Sequence, residues 1–140
     1  MAKTLSRPKG GNTADRLVGE LISELLNAST VTHKLHLLVK GEASYAQHAA
    51  LNEFYAGIKD SADSLAEQYQ GHKLILLEIK AAPMEGILLK NVDDCIKYLD
   101  SVYMMVSKTQ DMMTCSSIVN EMDNIKSLIN STKYKLFFLA

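Results

Sequence analysis

The chain has 140 residues, about one domain's worth and enough to enclose a core. Its 47% hydrophobic and 22% charged residues are ordinary for a globular protein, and the formal net charge of −1 argues against the domain as a whole being a nucleic-acid binder. With no apolar run of about 18 residues, and no apolar signal segment within Met1–Asp15, no membrane span is expected, and a cytoplasmic location is.

Residues 1–12 read as a flexible basic tail. Pro8, Gly10 and Gly11 discourage helix there, and Lys3, Arg7 and Lys9 are candidate phosphate contacts for non-specific DNA binding. Residues 13–140 read as a single all-α domain. A first helix starts near Asn12 or Thr13, both good N-caps, with Asp15 in its first turn. Leu17, Leu21 and Leu25, with Val18, Ile22 and Leu26, keep a helical period that Leu35 and Leu38 resume. The weak helix formers from Ser29 to Thr32 allow a kink, and Gly41 is the expected stop.

A second helix is predicted from a Ser44–Gln47 capping box to Gly71. Its stripe is Leu51, Phe54, Tyr55, Ile58, Ala62, Leu65 and Tyr69. Residues 72–90 are apolar but broken by Pro83 and Gly86, and read as a connection carrying a short helix. The third helix begins at the N-cap Asn91 and buries Val92, Cys95, Ile96, Leu99, Val102, Tyr103 and Val106. After a turn around Ser107–Met113, the last helix turns Ile118, Met122, Ile125, Ile129, Thr132 and Leu136 inward. The sum is two hairpins joined by one long crossover, the ferritin-like form of a four-helix bundle.

Both cysteines, Cys95 and Cys115, sit among apolar residues and read as buried thiols in a reducing compartment. Met104, Met105, Met112 and Met113 read as adaptable packing rather than a soft-metal site. Tyr103, Tyr134, Phe137 and Phe138 read as bundle-end packing, and His72 as an exposed helix-end residue.

The remaining histidines carry the chemistry. His33, His36 and His48 lie around the first tight turn, which can set His36 against His48. On the second helix His48, Asn52, Asp63 and Glu67 fall on one stripe about 100° wide, flanking the apolar face. Lys59 lies on the same stripe, as a counter-charge or a snorkelling side chain. Asp63 and Glu67, one turn apart, share a face, which alone would be an ordinary solvated pair. Fifteen residues of helix put His48 roughly 22 Å from Asp63, whereas metal–ligand bonds to nitrogen and carboxylate oxygen are about 2.0–2.2 Å. Histidines and carboxylates can share an ion only between two subunits, across a two-fold axis that sets second helices antiparallel.

The run HLLVKGEASYAQHAALNEFYAGIKDSADSLAEQ, from His36, resembles the signature of the Dps family, the DNA-binding proteins from starved cells. That signature has a His, a Gly five residues on, a second His twelve residues after the first, an acid one turn later, and a D-x-x-A-E segment. Here those places hold His36, Gly41, His48, Asn52 and Asp63–Glu67. The C-terminal run from Asp111 resembles the last Dps helix, and NEFY, AEQYQG and the terminal YKLFFL resemble small ferritin-like proteins of tailed phages, whose function is generally unassigned.

The resemblance implies an oligomeric ferroxidase and iron-storage protein, its homo-oligomer closing through two-fold interfaces into a dodecameric shell. Iron would sit between His36 and His48 of one subunit and Asp63 and Glu67 of its mate, and such ligands also suit zinc or manganese. Asn52 departs from the pattern, since it replaces an acid and brings no charge; His33, one turn before His36, is a further nitrogen donor. The alternative reading is a ferritin-like structural or DNA-associating protein, phage-encoded, with a degenerate, non-oxidising metal site.

Overall fold

The structure, a computed structural model, describes residues 12–139. The predicted phosphate contacts Lys3, Arg7 and Lys9 lie outside the described residues. Four helices make up the fold: α1 (Thr13–His36), α2 (Ser44–Lys73), α3 (Val92–Gln110) and α4 (Ser116–Phe138), with no strand among the described residues. None of them is long and apolar enough to cross a membrane.

The helix order around the bundle follows from which side chains meet. Ser29 reaches the Tyr55 carbonyl and Asp15 meets Tyr69, so α1 and α2 are antiparallel neighbours. Gln68 bonds Glu121 and Lys135 bonds Glu53, which sets α4 antiparallel to α2. Gln110 meets Asp123 and Lys133 meets Asp100, so α3 runs antiparallel to α4. Starting upward with α1, the sequence of directions is up, down, down, up. The α2–α3 connection must therefore travel the length of the bundle, whereas the other two are tight turns.

That connection runs along α1. The Ser23 hydroxyl donates to the Lys80 carbonyl at 2.6 Å and the Asn27 amide to the Met84 carbonyl at 3.2 Å. Gly19 makes the approach possible: a Cβ there would lie 2.5 Å from the Glu78 carbonyl oxygen. Glu24, fully buried, accepts from the Met84 amide at 2.7 Å, the Tyr98 hydroxyl at 2.5 Å and the Asn27 amide at 2.9 Å. A buried carboxylate is costly unless it is hydrogen-bonded, and this one joins α1, α3 and the crossover.

The predicted apolar stripes form the core, except that on α1 Leu17 is half-buried and Leu26, like Leu38 beyond the helix end, is exposed. Leu21, Leu25, Leu51, Phe54, Ile58, Leu65, Leu99, Val102, Ile118, Met122, Ile125 and Ile129 are completely or almost completely buried, each contributing about 1.5–3 kcal/mol of transfer free energy. On α3 Tyr98 is buried as well, while Val92, Ile96 and Tyr103 pack at its margin. The helix ends differ more from expectation. α1 stops at His36, not Gly41, because Leu37 turns its N–H back to the carbonyls of Leu35 and Lys34; Gly41, at φ 102°, serves the turn instead. Ser29–Thr32 stay helical because both hydroxyls find acceptors, the Tyr55 and Ala28 carbonyls.

No capping box forms at α2. Ser44 is already its first residue, and the cap position is Ala43, which has no side-chain acceptor. The same helix continues through Gly71 to Lys73 and ends on Leu74 in the left-handed conformation, φ 53°. The crossover carries turns between Ala82 and Ile87 rather than a short helix, as Pro83 and Gly86 resist continued α geometry. The expected burial of Cys115 is corrected to half-buried, whereas Cys95 is buried. Tyr134 and Phe137 each meet the Phe138 ring, tilted and edge-on, but all three are exposed, so they do not pack the bundle end; Tyr103 does pack against the core. Met105 and Met113 pack at the core margin, but Met104 and Met112 are exposed.

Candidate metal centre

The tight turn between α1 and α2 brings the two predicted histidines into contact. Their rings stack, with centroids 3.7 Å apart and planes at 29°. His48 Nδ1 lies 3.2 Å from the His36 carbonyl oxygen. A carbonyl can only accept, so Nδ1 carries a proton, and in the neutral ring Nε2 then keeps the lone pair, the tautomer a metal ligand needs.

His36 ends the buried stripe of α1 and is only 8% exposed, yet neither of its ring nitrogens has a hydrogen-bond partner. A buried imidazole without partners forfeits roughly 1–3 kcal/mol, a cost that points to a role beyond packing. Burial, and next to it the charges of His48 and His33, lower its pKa. The ring is therefore held neutral, the form that coordinates metals.

The two further candidates do not point at this pair. His33 stacks flat on Tyr55, 4.0 Å between centroids and 10° between planes, and meets His36 only edge-on at 5.7 Å. Asn52 accepts a 2.8 Å hydrogen bond from the Tyr55 hydroxyl through its side-chain oxygen. Asn52 is thus Tyr55's anchor, and its oxygen is already engaged. Tyr55, expected only as part of the core stripe, is half-buried and edges His36 at 5.2 Å. Its role was hidden because Tyr55 fits the apolar period, and only the neighbouring α1 reveals which rings it meets.

Asp63 and Glu67 sit exposed on α2, one turn apart. Since α2 is one unbroken helix, the roughly 22 Å from His48 to Asp63 stands. The chain does not bring the carboxylates to the histidines. Among the described residues no three His, Cys, Asp or Glu side chains converge into a possible metal site. A groove of about 810 Å³ between α1 and α2 is lined by His33, Tyr55, Lys59 and Asp63 among others, but by none of His36, His48 and Glu67. Lys59 is exposed on it.

Two carboxylates are buried against expectation. Glu24 is surrounded in the stripe of α1 by Leu21, Ile22 and Leu25, and an acid inside an apolar stripe was the available signal. Asp15, read as a first-turn charge, is buried too and accepts from Tyr69 at 2.5 Å and Lys73 at 2.9 Å.

Neither a curated protein nor a solved structure matches the chain. A family model, described as a family of unknown function (DUF5856), matches residues 41–136, a stretch with His48, Asp63 and Glu67 inside it and His36 before it. Spanning α2, α3 and most of α4, that match covers well over half of the sequence, and the chain belongs to the DUF5856 family.

Proposed function

We propose that the chain is a ferritin-like, Dps-like subunit that binds ferrous iron between two copies of itself, oxidises it and stores it. One copy supplies His36 and His48, the other Asp63 and Glu67. The observation that carries this reading is the buried, unpartnered imidazole of His36 stacked on a His48 whose Nε2 is free to coordinate. Two nitrogens at about 2.1 Å from one tetrahedral ion set their ring centroids roughly 5 Å apart, so the two rings, stacked at 3.7 Å, part to hold it. The single crossover between two hairpins, as in ferritin-like bundles, supports the same reading, and the α1–α2 groove offers a second copy a surface reaching from His33 to Asp63.

In this scheme Fe(II) is the substrate. It loses an electron to dioxygen or peroxide, and the ferric product is held inside a closed homo-oligomer, a dodecamer if the Dps pattern extends to assembly. Zinc or manganese would suit the same donors. A second reading keeps the fold but not the oxidation, leaving a structural or DNA-associating subunit. The Asn52–Tyr55 hydrogen bond favours it, because the place of the family's acid holds a neutral side chain already in use.

Anaerobic Fe(II) titration followed by oxygen or peroxide separates the readings. His48→Ala and Asp63→Ala should each abolish fast oxidation. Co-refolding the two variants should restore about a quarter of the sites, because each mixed pair rebuilds one intact site from opposite copies. Equal oxidation by wild type and both variants sinks the ferroxidase reading, and failure of the mixture to recover sinks the shared site.

A further inference from the structure

A second group of metal-type donors gathers at the far end of the bundle, and its chemistry is different. The turn from α3 to α4 reads Met112–Met113–Thr114–Cys115. A cavity of about 110 Å³ beside it is lined by Met112, Met113 and Cys115 and, from the last turn of α2, by His72. Residues bearing two thioethers, a thiol and an imidazole thus line one small space, where the sequence alone suggests adaptable packing.

Cys115 occupies the N-cap position of α4, half-buried, with Sγ 3.3 Å from Ser117 Oγ. Cys95, the other thiol, is buried in the core and does not line this cavity. Lys73 also lines the cavity, but its ammonium is paired with Asp15 at 2.9 Å, which offsets its charge toward an entering cation.

We propose that Cys115, Met112, Met113 and His72 form a binding site for monovalent copper, Cu(I). Thiolate and thioether sulfur select this soft ion, whereas carboxylate and water oxygens select hard ones. Binding forms a sulfur–copper bond, releases the thiol proton to solvent and leaves copper as Cu(I), so no oxidant or reductant is involved. The site is separate from the histidine end, and Cu(I) binding here does not depend on the iron reading.

The test is an anaerobic titration of the reduced full-length chain with Cu(I) in competition with bicinchoninate. One equivalent should bind. Cys115→Ser, the double variant Met112→Leu/Met113→Leu and His72→Ala should each weaken it, on the order of tenfold or more. Cys95→Ser should leave it unchanged. Wild-type affinity in any of the first three variants overturns the four-donor site.

Discussion

The two ends of the α1–α2 hairpin bury polar groups under opposite terms. At one end Asp15 is buried with its Oδ1 accepting from both the Tyr69 hydroxyl and the Lys73 ammonium. At the other, His36 is buried with both ring nitrogens unpartnered. Leaving a buried polar group unpaired costs free energy; pairing it recovers most of that cost. The Asp15 end is therefore organised for stability, and the His36 end carries a cost that a ligand would relieve. Glu24, midway along α1, belongs with Asp15: it is fully buried and accepts three hydrogen bonds.

The comparison is tested most strongly at Glu24. Glu24→Ala should destabilise the fold by about 3–5 kcal/mol, read from urea unfolding followed by circular dichroism, because it strands the Tyr98 hydroxyl and the Met84 amide inside the protein. Both lie between elements that only tertiary packing joins, so no local structure can compensate. A loss below about 1 kcal/mol would mean that water takes over these groups, and the distinction between satisfied and unsatisfied burial would lose its force.

Asp15 should show a smaller effect with a pH signature. Burial raises its pKa, but the hydrogen bonds from Tyr69 and Lys73 and the Lys73 charge outweigh burial, and the net shift is downward. In a folded chain with a depressed carboxyl pKa, the unfolded state binds protons more readily. The stabilisation is thus complete above the unfolded pKa of about 3.9 and drains away as pH falls below it, through the folded value. Asp15→Asn should cost about 1–2 kcal/mol at neutral pH and flatten that acid-side decline. An unchanged acid limb in the variant would remove Asp15 from the account.

How much of this could be read from residues alone depended on whether a feature was periodic or pairwise. The inner faces of α2 and α4 were legible because apolar side chains recur with the helix period, from Leu51 to Tyr69 and from Ile118 to Leu136. The meeting of His36 with His48 was legible too, since a tight turn leaves few alternatives. Helix ends were not: Ser44 fits a capping box, yet the chain enters α2 one residue earlier, and Gly71 stays helical in open space where it needs no special backbone. The contacts of Asn52, Tyr55 and His33 were not legible for the same physical reason. Which ring stacks on which is decided by the neighbouring helix, and period along one helix carries no such information. Cys115 illustrates the point at the far end, where a thiol among apolar residues proves half-buried and hydrogen-bonded at a helix start.

The smallest predicted change in stability is at His36, and it is the most diagnostic. Leucine has a similar volume and asks for no hydrogen bond, so His36→Leu should leave unfolding free energy unchanged at neutral pH or raise it by up to about 1 kcal/mol. It should also remove a pH dependence. Burial, then His48 and His33, depress the pKa of His36, so the unfolded chain takes up its proton first. Wild-type stability therefore declines as pH falls below about 6.5 toward the folded value, and the leucine variant should lack that component. Metal binding should fail in the same protein, because the ligand is gone while the fold stands. A stable variant that no longer binds Fe(II) would mark His36 as a residue retained for its ligand. If the variant instead loses more than about 2 kcal/mol, the ring was simply well packed, and the contrast between the two ends would collapse to one of hydrogen-bond count.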